Sequence, residues 1–199
     1  MLDFSERTVF NKMIPKEKFY QHLTLNTKIK NSFVQDIKKI VWANKLSERT
    51  TNIERGEAVS EIEIIEIYLK NGEIDDGVLE VISKQIPHKI IFILKYEDTA
   101  QMCVYLAKLH KTVWQQENML VLKIEGMNFD KVWDNFVIQI SGLRQENNSD
   151  TAEETVIKSI EREKIEKQIA ALTKKMRSEN QFNRQVKLKK QIAELKKRI

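Results

Sequence analysis

Val59-Ser60-Glu61-Ile62-Glu63-Ile64-Ile65-Glu66-Ile67-Tyr68-Leu69 is the stretch on which the fold turns. Apolar and polar residues alternate along it, the period of a half-buried strand. The alternation slips at Ile64-Ile65, as a bulge or a long bent strand changing partners would make it. Asn71-Gly72 closes the strand. Beyond it, Asp75 or Asp76 is placed to cap a short helix to about Gln85, with Val78, Leu79, Val81 and Ile82 facing inward. Pro87 stops that helix. Ile90-Ile91-Phe92-Ile93-Leu94 then reads as a central strand, apolar on both faces.

Working outward, Glu97-Asp98 turns the chain into Met102 to Leu106, the expected antiparallel neighbour. Residues 110–118 read as a connection and Met119 to Ile124 as a fourth strand. Asn128 can cap a helix with Phe129, Val132, Trp133, Phe136 and Ile140 on one side. Upstream, Ile29, Phe33, Ile37 and Ile40 recur at helical spacing, with Trp42 and Leu46 extending the stripe. This predicts one helix from about Thr27 to Leu46 or Ser47. Residues 49–56 read as a loop. The fold class is α+β: a mainly antiparallel four-stranded sheet with packed helices over residues 1–145.

Residues 146–150 read as a linker, and residues 151–199 as a basic helical tail, a coiled coil or a helical hairpin. Ile165, Ile169, Leu172 and Met176 step by four, three and four, a coiled-coil seam. Leu188, Ile192, Leu195 and Ile199 repeat that stepping, out of phase with the first. An antiparallel hairpin turning near Ser178 to Gln181 lets one seam bury the other. A continuous helix with a stutter is the rival. The turn-prone Ser178 and Asn180 favour the hairpin.

Net charge is +5 but uneven. The tail carries 14 Lys and Arg against 7 Asp and Glu; the preceding 150 residues carry 20 against 22. A nucleic-acid reading therefore belongs to the tail, at Lys174, Lys175, Arg177, Arg184, Lys187, Lys189 and Lys190. The single cysteine, Cys103, lies in an apolar run and reads as a buried small hydrophobe. One cysteine, no signal peptide and no membrane span together predict a cytoplasmic protein.

Glu61, Glu63 and Lys70 are the one candidate catalytic set: strand carboxylates able to hold Mg²⁺, with a lysine for the attacking water. The competing reading is a solvated strand face. His22, His88 and His110 show no metal-ligand spacing, so neither a metal nor a cofactor is expected, although His88 stands at the mouth of a central strand.

Ile14-Pro15-Lys16-Glu17-Lys18-Phe19-Tyr20, Phe33 to Ile37, Ile40 to Leu46, Val59 to Ile64, Ile86 to Phe92 and Gln181 to Leu188 resemble the bacterial family known as domain of unknown function 4391. Members tend to be encoded beside helicase-like proteins and DNA methyltransferases. The resemblance implies a place in restriction-like or anti-phage systems. The leading expectation is a non-enzymatic accessory or scaffolding subunit. It would dock a helicase or methyltransferase, or a second copy of itself, through Ile165, Ile169, Leu172, Phe182, Val186, Leu188, Ile192 and Leu195. The alternatives are a metal-dependent nuclease-like enzyme and a nucleic-acid-binding module using the tail.

Overall fold

In a computed structural model of the chain, which describes residues 2, 4–20, 25–143 and 151–198, one mixed sheet organises the first of two compact units, Met1–Glu153. The sheet begins with β1 (Val9–Ile14), which runs through the short helix α1 (Glu17–Tyr20) to α2 (Thr27–Gln35). The Asn26 carboxamide caps α2, accepting the Ile29 amide at 2.8 Å. There the predicted long helix stops. Ile37–Ser47 is an eleven-residue strand, β2, followed by the single-turn helix α3 (Glu48–Thr51).

The reason for the misreading is structural. Against β3 (Glu61–Leu69), β2 carries two extra residues, Lys38 and Ala43, at breaks in the register between Ile37 and Lys39 and between Trp42 and Asn44. Each bulge advances the alternation by one residue. Ile37 and Ile40 thus share one face of the sheet at a spacing of three, as on a helix, whereas Trp42 and Leu46, four apart, lie on opposite faces. β3 itself carries no extra residue: its parallel register with β4 is unbroken, and the bulge opposite Ile64-Ile65 lies in β2. The slip there arises because both faces are covered: Ile64 and Ile65 are each buried.

Helix α4 (Asp76–Gln85), capped by Asp75, carries the chain over the sheet to β4 (Lys89–Tyr96), which lies parallel to β3. All other pairings are antiparallel: β5 (Thr99–Tyr105) on β4, and β6 (Leu109–Lys111) and β7 (Gln115–Gln116) on β5. The sheet therefore has seven strands rather than four, ordered β1-β2-β3-β4-β5-β6 with β7 beside β5. One face packs Phe33, Ile37, Ile40, Ile65, Ile67, Phe92 and Leu94 into a core with α1, α2 and α4. Truncating a fully buried ring such as Phe92 to alanine is expected to cost about 3–5 kcal/mol. On the other face, Ile62, Ile64, Ile91, Ile93, Met102 and Val104 are buried where α5 (Phe129–Ser141) lies.

Of the expected strand at residues 119–124, Met119 ends a short 3-10 turn (Glu117–Met119) and residues 120–124 join no ladder. Leu120 and Leu122 are buried and Val121 is exposed, which gives the alternation. Its backbone is held instead by α5: the Lys123 amide donates to the Gln139 side chain, whose own amide donates back to the Lys123 carbonyl, both at 2.9 Å.

The second unit is Glu154–Ile199. Helix α6 (Ala152–Ser178) and helix α7 (Phe182–Lys196) fold back on one another across residues 179–181, the predicted hairpin. Ile165, Leu188 and Ile192 are buried. The predicted linker at residues 146–150 lies outside the described residues. None of the described helices is long and apolar enough to cross a membrane.

Candidate metal centre

The two bulges in β2 also decide what meets at the start of β3. Because Ala43 is the extra residue, Lys45 sits opposite Glu63 on the same face as Trp42. Glu61 and Glu63, two apart, share that face. The parallel register pairs Ile62 with Lys89, so His88 falls beside Glu61. The approach to β3 is fixed by Asp130 of α5. Its carboxylate accepts the backbone amides of Glu57, Ala58 and Val59 at 2.8, 3.2 and 2.8 Å. A Cβ on Gly56 would lie 2.2 Å from that carboxylate, so this contact needs glycine.

The resulting cluster is tight. Lys45 Nζ lies 2.6 Å from Glu61 Oε2 and 4.0 Å from Glu63 Oε1. His88 Nε2 is 2.8 Å from Glu61 Oε1. The Trp42 indole N–H donates to Glu63 Oε2 at 2.5 Å. Glu63 is only 2% exposed, and its Oε1 receives no hydrogen bond from the described residues. Burial pushes its carboxyl up to about 7, against the opposing pull of the Lys45 ammonium and the Trp42 hydrogen bond.

One ligand atom from each of Glu61, Glu63 and His88 lies within 4.8 Å of the other two. A small divalent cation bonded at about 2.0–2.2 Å needs its ligands somewhat closer than that, within reach of side-chain rotation. Two carboxylate oxygens and one imidazole nitrogen suit Mn²⁺ or Zn²⁺ better than an all-oxygen ion such as Ca²⁺. Three protein ligands leave coordination positions open, the arrangement of catalytic rather than structural sites. The bare cluster holds like charges together, with the Lys45 ammonium as a balancing cation.

Of the predicted catalytic set, Glu61 and Glu63 come together and Lys70 does not. Lys70 follows the far end of β3, about 30 Å along an extended strand from Glu61. Its ammonium is bound to the Val34 carbonyl at 2.8 Å. Lys45 occupies the position assigned to it. The absence of metal-ligand spacing, read from the histidines and Cys103, missed a mixed set in which two carboxylates recruit one histidine. His88, at the mouth of β4, was the available signal; Lys45 and Trp42 were read on a helix, because the bulges that aim them imitate helical spacing. His22 lies outside the described residues. Cys103 is buried, and burial pushes its thiol up to about 12, which removes it as a nucleophile.

In the tail, Lys174, Lys175, Arg177, Arg184, Lys187, Lys189 and Lys190 are all exposed. The predicted docking residues divide. Ile165, Leu188 and Ile192 are buried, and Ile169, Leu172 and Leu195 are half-buried. Phe182 is 75% exposed and Val186 37%.

The family described as Domain of unknown function (DUF4391) matches residues 2–199, the chain almost from end to end. No curated protein and no solved structure matches the chain.

Proposed function

The chain belongs to the DUF4391 family, and from its site geometry we propose that it is a divalent-cation-dependent hydrolase of phosphodiesters, nuclease-like in its chemistry. One observation carries the reading. The buried Glu63 carboxylate has one oxygen, Oε1, that accepts no hydrogen bond from the described residues, and Glu63 groups with Glu61 and His88, one ligand atom of each within 4.8 Å of the others. An orphaned buried carboxylate oxygen costs stability unless something binds it, and a cation is the ligand that satisfies it. Such an ion supplies a Lewis acid at the phosphoryl oxygen and a water of lowered pKa. The chain's own residues do the rest. Glu61, Glu63 and His88 hold the ion, Trp42 fixes the Glu63 carboxylate, and the Lys45 ammonium neutralises charge developing on the phosphoryl group. Overall, water adds to phosphorus, one P–O ester bond breaks, and the leaving oxygen takes a proton.

The test is Mn²⁺ titration by calorimetry, paired with cleavage assays on single- and double-stranded DNA and RNA in Mn²⁺ and Mg²⁺. We expect Lys45→Ala to lose about 10- to 100-fold in cleavage rate with Mn²⁺ affinity nearly kept, and Lys70→Ala to lose neither. Failure of the unaltered chain to take up Mn²⁺, Mg²⁺ or Zn²⁺ would refute the proposal.

A second reading rests on a separate observation. Phe182 and Val186, four apart and therefore on one side of α7, remain exposed after the hairpin has buried Ile165, Leu188 and Ile192. These residues support the hairpin as the docking arm of an accessory subunit in a restriction-like defence complex. The partner would be a helicase, a DNA methyltransferase or a second copy. Phe182→Ser should abolish co-purification with that partner; unchanged assembly would remove this reading. The exposed basic residues support a nucleic-acid contact, which predicts binding that weakens steeply with salt.

A further inference from the structure

Beside the carboxylates, on the same face of the sheet, β1 and β2 set up an aromatic pair. The register between them breaks between Val9 and Lys12: Val9 pairs with Asn44 and Lys12 with Trp42, so Phe10 and Asn11 together face the single residue Ala43. Asn11 takes φ 46°, the left-handed region that residues other than glycine seldom adopt. Bulges of this kind re-aim a side chain, and this one turns Phe10 onto the indole of Trp42. Their ring centroids are 4.3 Å apart, tilted by 48°. Both rings are half-buried, leaving aromatic surface open at the sheet's edge strand.

Two ammonium groups border the pair. Lys12 Nζ stands 4.4 Å from the Phe10 ring centroid, and Lys45 Nζ 5.9 Å from that of Trp42. Lys12 is exposed. Trp42 joins the pair to the metal centre, since its N–H is the donor that holds Glu63. Aromatic surface between lysines, continuous with a phosphodiester-cutting site, has the chemistry of a single-strand subsite. Rings take the face of a base and ammonium groups take phosphates on either side. A duplex keeps its base faces stacked internally and cannot offer one.

We propose that Phe10 and Trp42 form a stacking shelf for an unpaired base, flanked by Lys12 and Lys45 on the phosphates, so that the substrate is single-stranded nucleic acid. This inference rests on the reading of the metal centre as a phosphodiester hydrolase, and it assigns that site its substrate class.

The test uses the full chain, a fluorescein-labelled twelve-residue oligothymidylate, and a hairpin duplex of equal length, with anisotropy read in EDTA so that nothing is cut. Phe10→Leu keeps bulk and removes the stacking face; it should weaken oligothymidylate binding about 5- to 100-fold. Lys12→Ala, an exposed change that leaves the core alone, should weaken it about 2- to 5-fold and lower the salt slope by about one charge. Duplex binding, to which the basic tail contributes equally in every variant, should move less than about 2-fold. Equal losses for duplex and single strand, or no loss in either variant, overturn the shelf. Mn²⁺ titration of the same proteins separates the two ideas. An unaltered chain that binds no divalent ion removes the hydrolase reading. Normal Mn²⁺ affinity with oligothymidylate binding unmoved in both variants removes the shelf alone.

Discussion

Two charged clusters lie on opposite faces of the same strands, and they differ in one respect. On the α5 side, Lys95 Nζ bridges Glu66 Oε1 and Glu117 Oε1 at 2.7 Å each, and the Tyr68 hydroxyl donates to Glu66 Oε2 at 2.8 Å. Lys39 caps the arrangement, 4.0 Å from the Tyr68 ring centroid. Both Glu66 oxygens are satisfied, and the paired carboxylates hold the Lys95 ammonium well above its usual range despite burial. On the opposite face, Glu63 has one oxygen bound by Trp42 and one with no donor. A closed cluster is a structural element; an open one has capacity for a ligand. The period of two puts Glu66 on the face opposite Glu61 and Glu63, but does not say which cluster is closed.

Substitutions at matched positions would break or sharpen this contrast. The largest expected effect is on the open side: Glu63→Gln should lower Mn²⁺ affinity by at least about 100-fold in calorimetry while leaving the fold intact. Glu66→Gln should leave Mn²⁺ affinity within about 2-fold; a loss at both positions would erase the distinction. Next comes the closed side. Lys95→Ala strands two carboxylates and should cost about 2–4 kcal/mol in urea unfolding, whereas Lys45→Ala, at a more exposed pair, should cost about 1 kcal/mol.

The third prediction concerns pH. The Glu63 carboxyl is raised from 4.5 to about 7 in the folded chain. Between those values the folded state holds the proton and the unfolded state does not, so stability falls as pH rises from about 4.5 to 7. Allowing for solvent screening, the loss is about 2 kcal/mol. Glu63→Gln should remove that part of the pH dependence in thermal melts, and Glu66→Gln should leave it in place. The smallest effect is expected from removing residues 154–199: Mn²⁺ affinity should stay within about 2-fold, because every residue of the cluster lies in the first unit.

Legibility of the fold followed the range of the interactions behind it. Helices α4 and α5 begin where Asp75 and Asn128 announce them, because a cap is made within three residues. The hairpin turns where the two seams fall out of phase, for the same local reason. The stretch after Met119 buries alternate residues as its pattern says, but its partner is a helix side chain, Gln139, which alternation cannot name. β2 was misread because bulges imitate helical spacing. The same bulges placed Lys45 and Trp42, so the errors in fold and in site have one origin.

By itself, then, the sequence determined the α+β class, the capped helices, the basic helical tail, and the pairing of Glu61 with Glu63 on one strand face. Each depends on residues a few positions apart, where backbone periodicity fixes geometry. Only the tertiary structure decided that His88, twenty-seven positions beyond Glu61, stands beside it, that Lys45 rather than Lys70 completes the cluster, and that Phe10 lies against Trp42. Those contacts depend on a parallel crossover and on strand register. Register is set by how whole faces bury against their helices, so no single segment carries it.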